Sequence, residues 1–178
     1  MIHSMVTGMV LMATISFNMD VRSWRSVNDG VMGGVSSGGM SKIGDVLVFA
    51  GELSLENNGG FASVRRLAEQ DLTGATRVRI EVRGDGREYQ FRIRHKNSFD
   101  GVAWRALFTA EDDWQTVEMA LDQFVPVFRG RTVARAGPVV ASEIQQIGFL
   151  LADKKAGPFK LEIRHIEFLG PKDAATPP

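Results

Sequence analysis

The sequence predicts an all-β protein, built as an antiparallel sandwich or a closed barrel. Hydrophobic and polar residues alternate over several short segments, most clearly in residues 76–83, where Val78, Ile80 and Val82 share one side of an extended chain. Clusters of glycine, asparagine and aspartate separate these segments, as turns separate strands. No segment shows three turns of helical periodicity. Short strands that each hide one face must pack as two sheets or close into a barrel.

Two strands are predicted before this central segment. Residues 45–55 keep a period near two, although Ala50 and Gly51 interrupt it as a turn or bulge would. Residues 57–60, Asn-Asn-Gly-Gly, are typical of a turn. Residues 61–66 then return as the next strand.

The central strands carry a basic face. Residues 76–83 and 88–95 both alternate, and Asp85-Gly86 between them is a strong hairpin signal, so the two strands are predicted to pair. Pairing would place five arginines on one surface, among Glu81, Glu88 and Gln90: Arg77, Arg79, Arg83, Arg92 and Arg94. Like charges so close repel unless they are solvated, paired with acids or matched to a partner. The face is therefore either a solvated sheet surface or a surface for a partner or ligand.

Further strands are predicted towards the C-terminus. Residues 102–109 and 114–121 flank a polar turn and add Trp104 and Arg105 beside the basic face. Residues 122–142 are rich in proline, glycine and arginine, and are predicted as a long functional or packing loop. Two buried strands complete the fold, residues 144–152 and 159–168.

The length of 178 residues favours one domain, predicted over residues 20–170. Residues 1–19 are predicted as a ragged apolar segment or an ordered first strand, and residues 171–178 as a disordered tail. The start contains no Lys or Arg and no clean cleavage site, which disfavours a signal peptide. No apolar run reaches the roughly 18 residues of a membrane span.

Charge and composition exclude several functional classes. The 21 basic and 21 acidic residues give zero net charge, which argues against a nucleic-acid-binding protein. The charge is uneven, because residues 61–105 hold ten Lys or Arg against six acids. The absence of cysteine excludes disulfides, thiolate catalysis and cysteine-bound metals. It also fits a cytoplasmic location.

The most distinctive segment of the sequence is residues 27–39, which contain five glycines. Glycine adopts left-handed backbone conformations without a Cβ clash, so this stretch must bend sharply or approach something closely. A phosphate site would require a Lys-Ser/Thr pair or a following helix, and neither is present. The stretch is therefore a structural turn or an interaction loop, with Asn28 and Asp29 available to bond the turned backbone.

No constellation predicts catalysis. The three histidines and the serines of residues 27–39 lack the spacing of a nucleophile elbow, and two usable histidines make a poor zinc site. The acidic pairs Glu52/Glu56 and Asp112/Asp113 could serve a glycosidase, but such pairs are usually solvated charge. A structural calcium ion bound by loop oxygens stays open. We predict no enzyme activity, no cofactor and no metal ligand that the sequence identifies.

Several blocks together resemble the complex I intermediate-associated protein 30 family. They are Trp24, Asn28-Asp29-Gly-Val-Met-Gly-Gly-Val-Ser36, Phe49-x-Gly51-x-Leu53-Ser-Leu-Glu-Asn-Asn-Gly-Gly-Phe-Ala-Ser-Val-Arg65, Phe124-x-Pro126-x-Phe128-Arg-Gly-Arg131, Ile147-Gly-Phe149 to Asp153-Lys154, and Gly157-Pro-Phe-x-Leu161-x-Ile163. The similarity extends over about residues 20–169. It implies a galactose-binding-domain-like jelly-roll sandwich related to carbohydrate-binding modules. For the mitochondrial members it implies a non-catalytic assembly factor for respiratory complex I. The start is poor in Arg and Ser, so this chain looks like a compact bacterial member.

Two functional hypotheses follow. The first is a protein-binding or assembly module, whose partners could include respiratory complex subunits and whose contacts come from residues 27–39, 57–65 and 128–131. The second is a carbohydrate-binding or small-acidic-ligand-binding sandwich, with arginines and Trp104 lining a concave sheet. The candidate binding residues of the two hypotheses are Asn28, Asp29, Gly33, Gly34, Ser36, Asn57, Asn58, Arg65, Arg79, Arg92, Arg94, Trp104, Arg105, Arg129 and Arg131.

Overall fold

The computed structural model describes residues 14–97 and 100–172. Within these ranges the regular structure is almost entirely strand. The strands are β1 (Ile15–Ser16), β2 (Arg25–Ser26), β3 (Ser37–Ile43), β4 (Val46–Leu53), β5 (Ala62–Leu67), β6 (Arg77–Arg83), β7 (Glu88–Arg94), β8 (Ala103–Thr109), β9 (Gln115–Ala120), β10 (Val125–Phe128), β11 (Arg131–Thr132), β12 (Gln146–Leu151) and β13 (Gly157–Leu169). The helical segments of the described chain are single 3₁₀ turns, at Val21–Ser23, Asp29–Met32, Glu56–Asn58, Leu121–Gln123, Ala134–Ala136 and Ala141–Glu143.

The strands form two antiparallel sheets that pack face to face. Sheet A has the order β3-β4-β13-β6-β9, with β1 also paired to β13, and sheet B has the order β11-β10-β8-β7-β12-β5-β2. Strands distant in sequence are neighbours in both sheets, as in a jelly roll. The predicted antiparallel jelly-roll sandwich is confirmed.

The core lies between the two sheets. Alternate residues of each strand point into it, which is why period-two segments formed strands. Phe91 of β7 packs edge-on against Phe149 of β12 at 5.3 Å between ring centroids, and Phe49 of β4 packs edge-on against Phe159 of β13 at 4.9 Å. Burial of these large rings supplies much of the driving force for folding.

The predicted hairpin at Asp85-Gly86 is wrong. β6 lies in sheet A and β7 lies in sheet B, so residues 84–87 cross from one sheet to the other. The amides of Gly84 and Gly86 donate to the carbonyls of Glu111 and Ala110 in the neighbouring connection. A connection of this length can form either a hairpin or a crossing between the sheets. The outcome depends on the strands with which β6 and β7 pair, which are distant in sequence.

The eight predicted strands are present, with ends within two residues of the predicted ones. Ala50 and Gly51 do not interrupt β4. A Cβ at Gly51 would lie 2.0 Å from the carbonyl oxygen of Ser37, so glycine is required because β3 runs close alongside. The prediction of residues 27–39 as loop throughout is also wrong, because Ser37 begins β3.

Other short strands lie in segments without a clear pattern. The predicted loop over residues 122–142 contains β10 and β11. The apolar segment 1–19 is described from residue 14 onwards, where β1 pairs with β13 and Phe17 joins the core. The predictions for residues 1–13 and 173–178 lie outside the described residues. No helix in the described parts of the chain is long and apolar enough to cross a membrane.

Candidate functional site

The five arginines predicted to share one surface lie on opposite surfaces of the sandwich. Arg77, Arg79 and Arg83 belong to β6 in sheet A, whereas Arg92 and Arg94 belong to β7 in sheet B. The prediction of one basic ribbon is wrong because its two strands do not pair. Arg79 therefore cannot line the same sheet as Arg92 and Arg94.

Acids neutralise the arginines on the outer surface of sheet A. Arg79 lies 3.1 Å from Glu118 and 3.3 Å from Glu167, and Arg83 lies 2.7 Å from Glu162. Hydrogen bonding from Arg83 is the main cause of the lowered pKa of Glu162. This surface matches the solvated, cross-strand-paired interpretation of the basic face.

On sheet B, arginines follow one another across four strands. Gly148 of β12 pairs with Arg65 of β5 on one side and with Arg92 of β7 on the other. Arg92 in turn pairs with Arg105 of β8, and Arg25 of β2 pairs with Arg65. Directly paired residues of antiparallel strands project from the same face, so these side chains form a row.

Arg94 extends this row, because residues two apart on a strand share a face. We call Arg65, Arg92, Arg94 and Arg105 the arginine face. It faces away from the core, yet Arg94 is only 7% exposed. All four residues were candidate binding residues, and the structure brings them together. Arg25 was missed because its two-residue strand has no alternating pattern to read.

Burial and mutual repulsion destabilise the positive charges of this face. Desolvation is the main cause that lowers the pKa of Arg92 to about 9, and Arg94, Arg105 and Arg65 lower it further. Desolvation, followed by Arg65, lowers the pKa of Arg94 to about 10. Both groups remain charged at neutral pH. The face is therefore a patch of positive charge held at a cost in free energy.

The hydrogen bonds of Arg92 and Arg94 go to neutral acceptors. Arg92 donates through Nε and Nη2 to Oε1 of Gln90, at 2.9 and 2.7 Å. Arg94 donates to the carbonyl of Gly101 at 3.0 Å. Among the described residues, no carboxylate forms an ion pair within 4 Å of Arg92, Arg94 or Arg105. The field of Asp100 reaches Arg65 and Arg94.

Gly148 leaves a gap in the row of arginine side chains. A cavity of about 10 Å³ opens there, lined in part by Arg65, Arg92 and Arg94. That volume holds about one water-sized atom. Beside it, a groove of about 670 Å³ runs along the β5 edge past Arg25 and Arg65.

Aliphatic side chains flank the arginines on the described part of sheet B. Leu107 of β8 and Val125 of β10 are 49% and 40% exposed on this side of sheet B. The aromatic residues of β7, β8 and β12 are buried on the core side: Tyr89, Phe91, Trp104, Phe108 and Phe149.

Trp104 does not lie on the arginine face. It points to the opposite side of β8 from Arg105, where it stacks on His95 with 4.0 Å between ring centroids. Its indole N–H donates to the carbonyl of Gly137 at 2.9 Å. The expectation that Trp104 and Arg105 line one surface is wrong, because adjacent strand residues face opposite ways.

Asp29 organises the glycine-rich loop, residues 27–36. Its carboxylate is fully buried and accepts hydrogen bonds from the Ser36 hydroxyl at 2.6 Å, the Ser36 amide at 2.9 Å and the Gly60 amide at 2.7 Å. Desolvation raises the pKa of Asp29, but the bonds from Ser36, Gly60 and Phe61 outweigh it, so the net shift is downward. Asp29 and Ser36 therefore join two loops from within.

Two glycines make room for this carboxylate. A Cβ at Gly34 would lie 2.4 Å from Cγ of Asp29, and a Cβ at Gly59 would lie 2.5 Å from its Oδ2. Gly33 adopts a positive φ of 88°, which ends the 3₁₀ turn at Asp29–Met32. The glycines therefore serve the closure of the loop on Asp29, which was one of the two interpretations of residues 27–39.

Neighbouring asparagines have related structural positions. Asn28 donates to the carbonyl of Gly38 at 3.0 Å and accepts from the amide of Ser63 at 3.1 Å. Asn57 and Asn58 have positive φ values of 55° and 57°, which asparagine tolerates better than most residues. These residues shape the loops from which exposed apolar side chains project, including Val31, Met32, Val35 and Leu55.

Arg129 and Arg131 lie at the other end of the sandwich. Arg129 pairs with Asp100 at 2.7 Å, near the end of β7, whereas Asp29 binds Gly60 just before β5 begins. Those two strand ends lie at opposite ends of β12. The three loop segments proposed to form one contact surface are therefore divided, and sheet B lies between them.

No catalytic or metal-binding arrangement emerges from the parts of the chain that the structure describes. No group of three or more His, Asp or Glu side chains there is placed to hold a metal ion. His95 accepts from the amide of Val140 and contacts Glu143 at 3.3 Å, and desolvation lowers its pKa. His165 lies 3.9 Å from Glu81. Neither histidine adjoins a nucleophile in these contacts.

Sequence comparison identifies the family that this chain resembles. The sequence model of the complex I intermediate-associated protein 30 family matches residues 14–163. The mouse (Mus musculus) mitochondrial protein of that name is 36% identical over 96 residues, which are 51% of this chain and 28% of the relative. The Drosophila melanogaster protein is 29% identical over 112 residues, 58% of this chain and 38% of the relative. The matched part is thus well under half the length of these relatives.

Structural comparison identifies carbohydrate-binding modules. The family 11 module of Clostridium thermocellum, solved with a β-1,3-1,4-mixed-linked tetrasaccharide, superposes with a TM-score of 0.67 at 18% identity, covering 88% of this chain and 95% of the module. A mutant of a family 29 module complexed with cellulohexaose superposes with a TM-score of 0.56 at 10% identity, covering 90% of this chain and 94% of the module. At these identities the likeness shows the shared sandwich fold.

Proposed function

The chain belongs to the complex I intermediate-associated protein 30 family, and from this premise we propose that it is a non-enzymatic binding module of the assembly-factor type. Its proposed ligand is another protein. The family relationship supports the general role, and subunits of respiratory complex I are the first partners to look for, given the name of its relatives. The arginine face is the observation that carries the proposal.

The contrast between the two outer surfaces supports this choice of face. Arg79 and Arg83 on sheet A have carboxylate partners within the protein. Arg92 and Arg105 face each other on sheet B without a carboxylate ion pair among the described residues. Arginine is enriched at binding hot spots, and an opposite charge from a partner would relieve their repulsion. A surface that served only for solubility would gain nothing from burying Arg94.

Affinity purification tests the proposal. Tagged wild-type protein should recover a stable partner from cells of the source organism, and the double variant Arg92→Gln/Arg105→Gln should lose it. Arg79→Gln is the matched control, because it removes an arginine from an outer sheet surface that is already neutralised. Failure of the wild-type protein to retain any partner would contradict the protein-binding role.

An acidic-carbohydrate-binding or small-acidic-ligand-binding role is the second candidate. The shared fold with carbohydrate-binding modules favours a sugar, and the arginines favour an acidic one. Isothermal titration with a neutral mixed-linked β-glucan tetrasaccharide and with trigalacturonate tests it. Heat of binding from trigalacturonate, abolished in Arg92→Gln, would support this candidate, and no heat from either sugar would reject it for these ligands.

A further inference from the structure

We propose that the arginine face binds an acidic, aliphatic polypeptide segment, with one carboxylate seated over Gly148 between Arg65 and Arg92. This inference rests on the proposed function and specifies the chemistry of the partner. The aliphatic side chains of the segment lie along Leu107 and Val125.

The position over Gly148 follows from the strand register. Arg65 and Arg92 flank Gly148 on its two neighbouring strands, so their backbones lie about 10 Å apart. Gly148 contributes no side chain to fill the interval. Glycine is required there because a Cβ would lie 2.5 Å from the carbonyl oxygen of Val64. The packing of β12 against β5 therefore leaves no β12 side chain between Arg65 and Arg92.

The size of the opening suits a carboxylate oxygen. The cavity at Gly148 has a volume of about 10 Å³, close to that of a single water-sized atom. Arg65, Arg92 and Arg94 line it together. An oxygen placed there would meet donors from more than one strand. A carboxylate carries a second oxygen that would remain outside the cavity for a neighbouring guanidinium group.

The energetic argument depends on what these guanidinium groups now contact. Arg92 bonds to the amide oxygen of Gln90, and Arg94 bonds to a backbone carbonyl. A carboxylate adds an attraction between opposite charges that a neutral amide or carbonyl oxygen does not supply. The bound carboxylate would also offset the repulsion from neighbouring arginines, which adds to desolvation in lowering the pKa of Arg92. Both effects favour an anionic ligand.

The surroundings favour a polypeptide over a glycan or a nucleic acid. Sugar rings and nucleobases stack on aromatic faces. The aromatic residues of β7, β8 and β12 all point into the core. Among the described residues, the exposed apolar neighbours of Arg105 on the outer side of sheet B include the aliphatic Leu107 and Val125. A segment that mixes glutamate or aspartate with leucine or valine complements both features.

Fluorescence anisotropy with two labelled peptides tests the proposal directly. The first peptide alternates glutamate and leucine, and the second replaces every glutamate with glutamine. The wild-type protein should bind the glutamate peptide and not the glutamine peptide. Arg92→Gln should weaken binding at least about tenfold, as expected for loss of a charge-assisted bond. Arg79→Gln should bind as the wild-type protein does.

Competition separates the possible sources of the carboxylate. Unlabelled glutamate peptide should displace the labelled peptide, whereas trigalacturonate and inorganic phosphate should not do so at equal concentrations of charge. Displacement by trigalacturonate or phosphate alone would overturn the inference in favour of a glycan or phosphate ligand. Equal binding of the two peptides, or equal binding by Arg92→Gln and Arg79→Gln, would also overturn it.

Thermal unfolding with and without peptide checks that the variants remain folded. The glutamate peptide should raise the melting temperature of the wild-type protein and of Arg79→Gln, with no change in Arg92→Gln. A native partner that Arg92→Gln still recovers in affinity purification would reject this inference and leave the proposed function intact. A purification that recovers no partner would reject both.

Discussion

Arg92 and Arg105 lie directly opposite each other on the neighbouring strands β7 and β8. Like charges in this position destabilise a sheet. Among the described residues, the hydrogen bonds of Arg92 reach only the amide of Gln90, and no carboxylate forms an ion pair with either arginine. The free protein therefore carries a local excess of positive charge in a partly desolvated position.

Removing one of these charges should stabilise the fold. We expect Arg92→Gln to raise the free energy of unfolding by about 0.5–1 kcal/mol, because repulsion and desolvation of the charge are both relieved. Urea unfolding measures the change. Arg79→Gln should instead leave stability unchanged or reduce it slightly, since Arg79 is paired with Glu118 and Glu167. A clear loss of stability in Arg92→Gln would mean that Arg92 has a structural role.

Alkaline pH should narrow the difference between the wild-type protein and Arg92→Gln. The pKa of Arg92 is lowered to about 9 in the folded protein, while that of the unfolded chain stays in the ordinary arginine range. The unfolded state therefore binds more protons above that pH, and the wild-type protein gains stability relative to the variant as pH rises. Urea unfolding of both proteins at pH 7, 9 and 10 gives the comparison. A constant difference would contradict the lowered pKa.

Asp29→Asn should be strongly destabilising. In one orientation the asparagine NH2 group would face the Ser36 hydroxyl and the Gly60 amide, which now donate to Oδ2 at 2.6 and 2.7 Å. In the other orientation it would face the Ser36 amide, which now donates to Oδ1 at 2.9 Å. We expect a loss of about 2–4 kcal/mol in the free energy of unfolding, measured in urea. Asp112→Asn, in an exposed turn, is the matched control and should change little. Equal effects of the two variants would count against the buried role of Asp29.

Acid should remove the contribution of Asp29. Its folded pKa lies below the ordinary value, so its stabilisation is fully present above about pH 5 and is lost as the pH falls below about 4. The stability of the wild-type protein should consequently fall more steeply between pH 5 and pH 2 than that of Asp29→Asn. Unfolding curves at several pH values measure both slopes. Parallel slopes would show that Asp29 is not the carboxyl involved.

Gly34→Ala should lower the free energy of unfolding, whereas Gly30→Ala should change it little. The added methyl group at position 34 would lie 2.4 Å from Cγ of Asp29, whose carboxylate is held by hydrogen bonds and cannot easily move. Around Gly30 there is open space. Because Asp29 would have to give up part of its bonding, we expect Gly34→Ala to lose about 2–3 kcal/mol. Comparing the melting temperatures of the two variants tests this, and similar values would contradict the proposed close packing.

The strands themselves could be predicted from sequence because their pattern is local. Val78, Ile80 and Val82 alternate with arginines and glutamate, and a strand with this pattern buries its apolar face. Short strands such as β2 and β11 were missed because two residues cannot show a period. β3 was missed because clustered glycines in a sequence are typical of a turn. In the fold, these glycines allow β3 to pack closely beside β4 and β5.

Arg79 and Arg92 have the same local context, yet they differ in environment. Each is an outward residue of an alternating strand in the basic part of the chain. Arg79 meets Glu118 and Glu167 on strands distant in sequence, whereas Arg92 meets Gly148 and Arg105. No local pattern distinguishes these outcomes.

The sequence by itself determined the positions of the main strands, the sandwich class and the family, because alternation, turn residues and motif blocks are written along the chain. The tertiary structure decided which arginines are neutralised, since that depends on which distant strands pair. It also decided that residues 84–87 cross between the sheets and that Asp29 is buried, where its hydrogen bonds connect two loops. These features depend on contacts between segments that are far apart in the sequence. A local sequence pattern predicts each strand but not the strand with which it pairs.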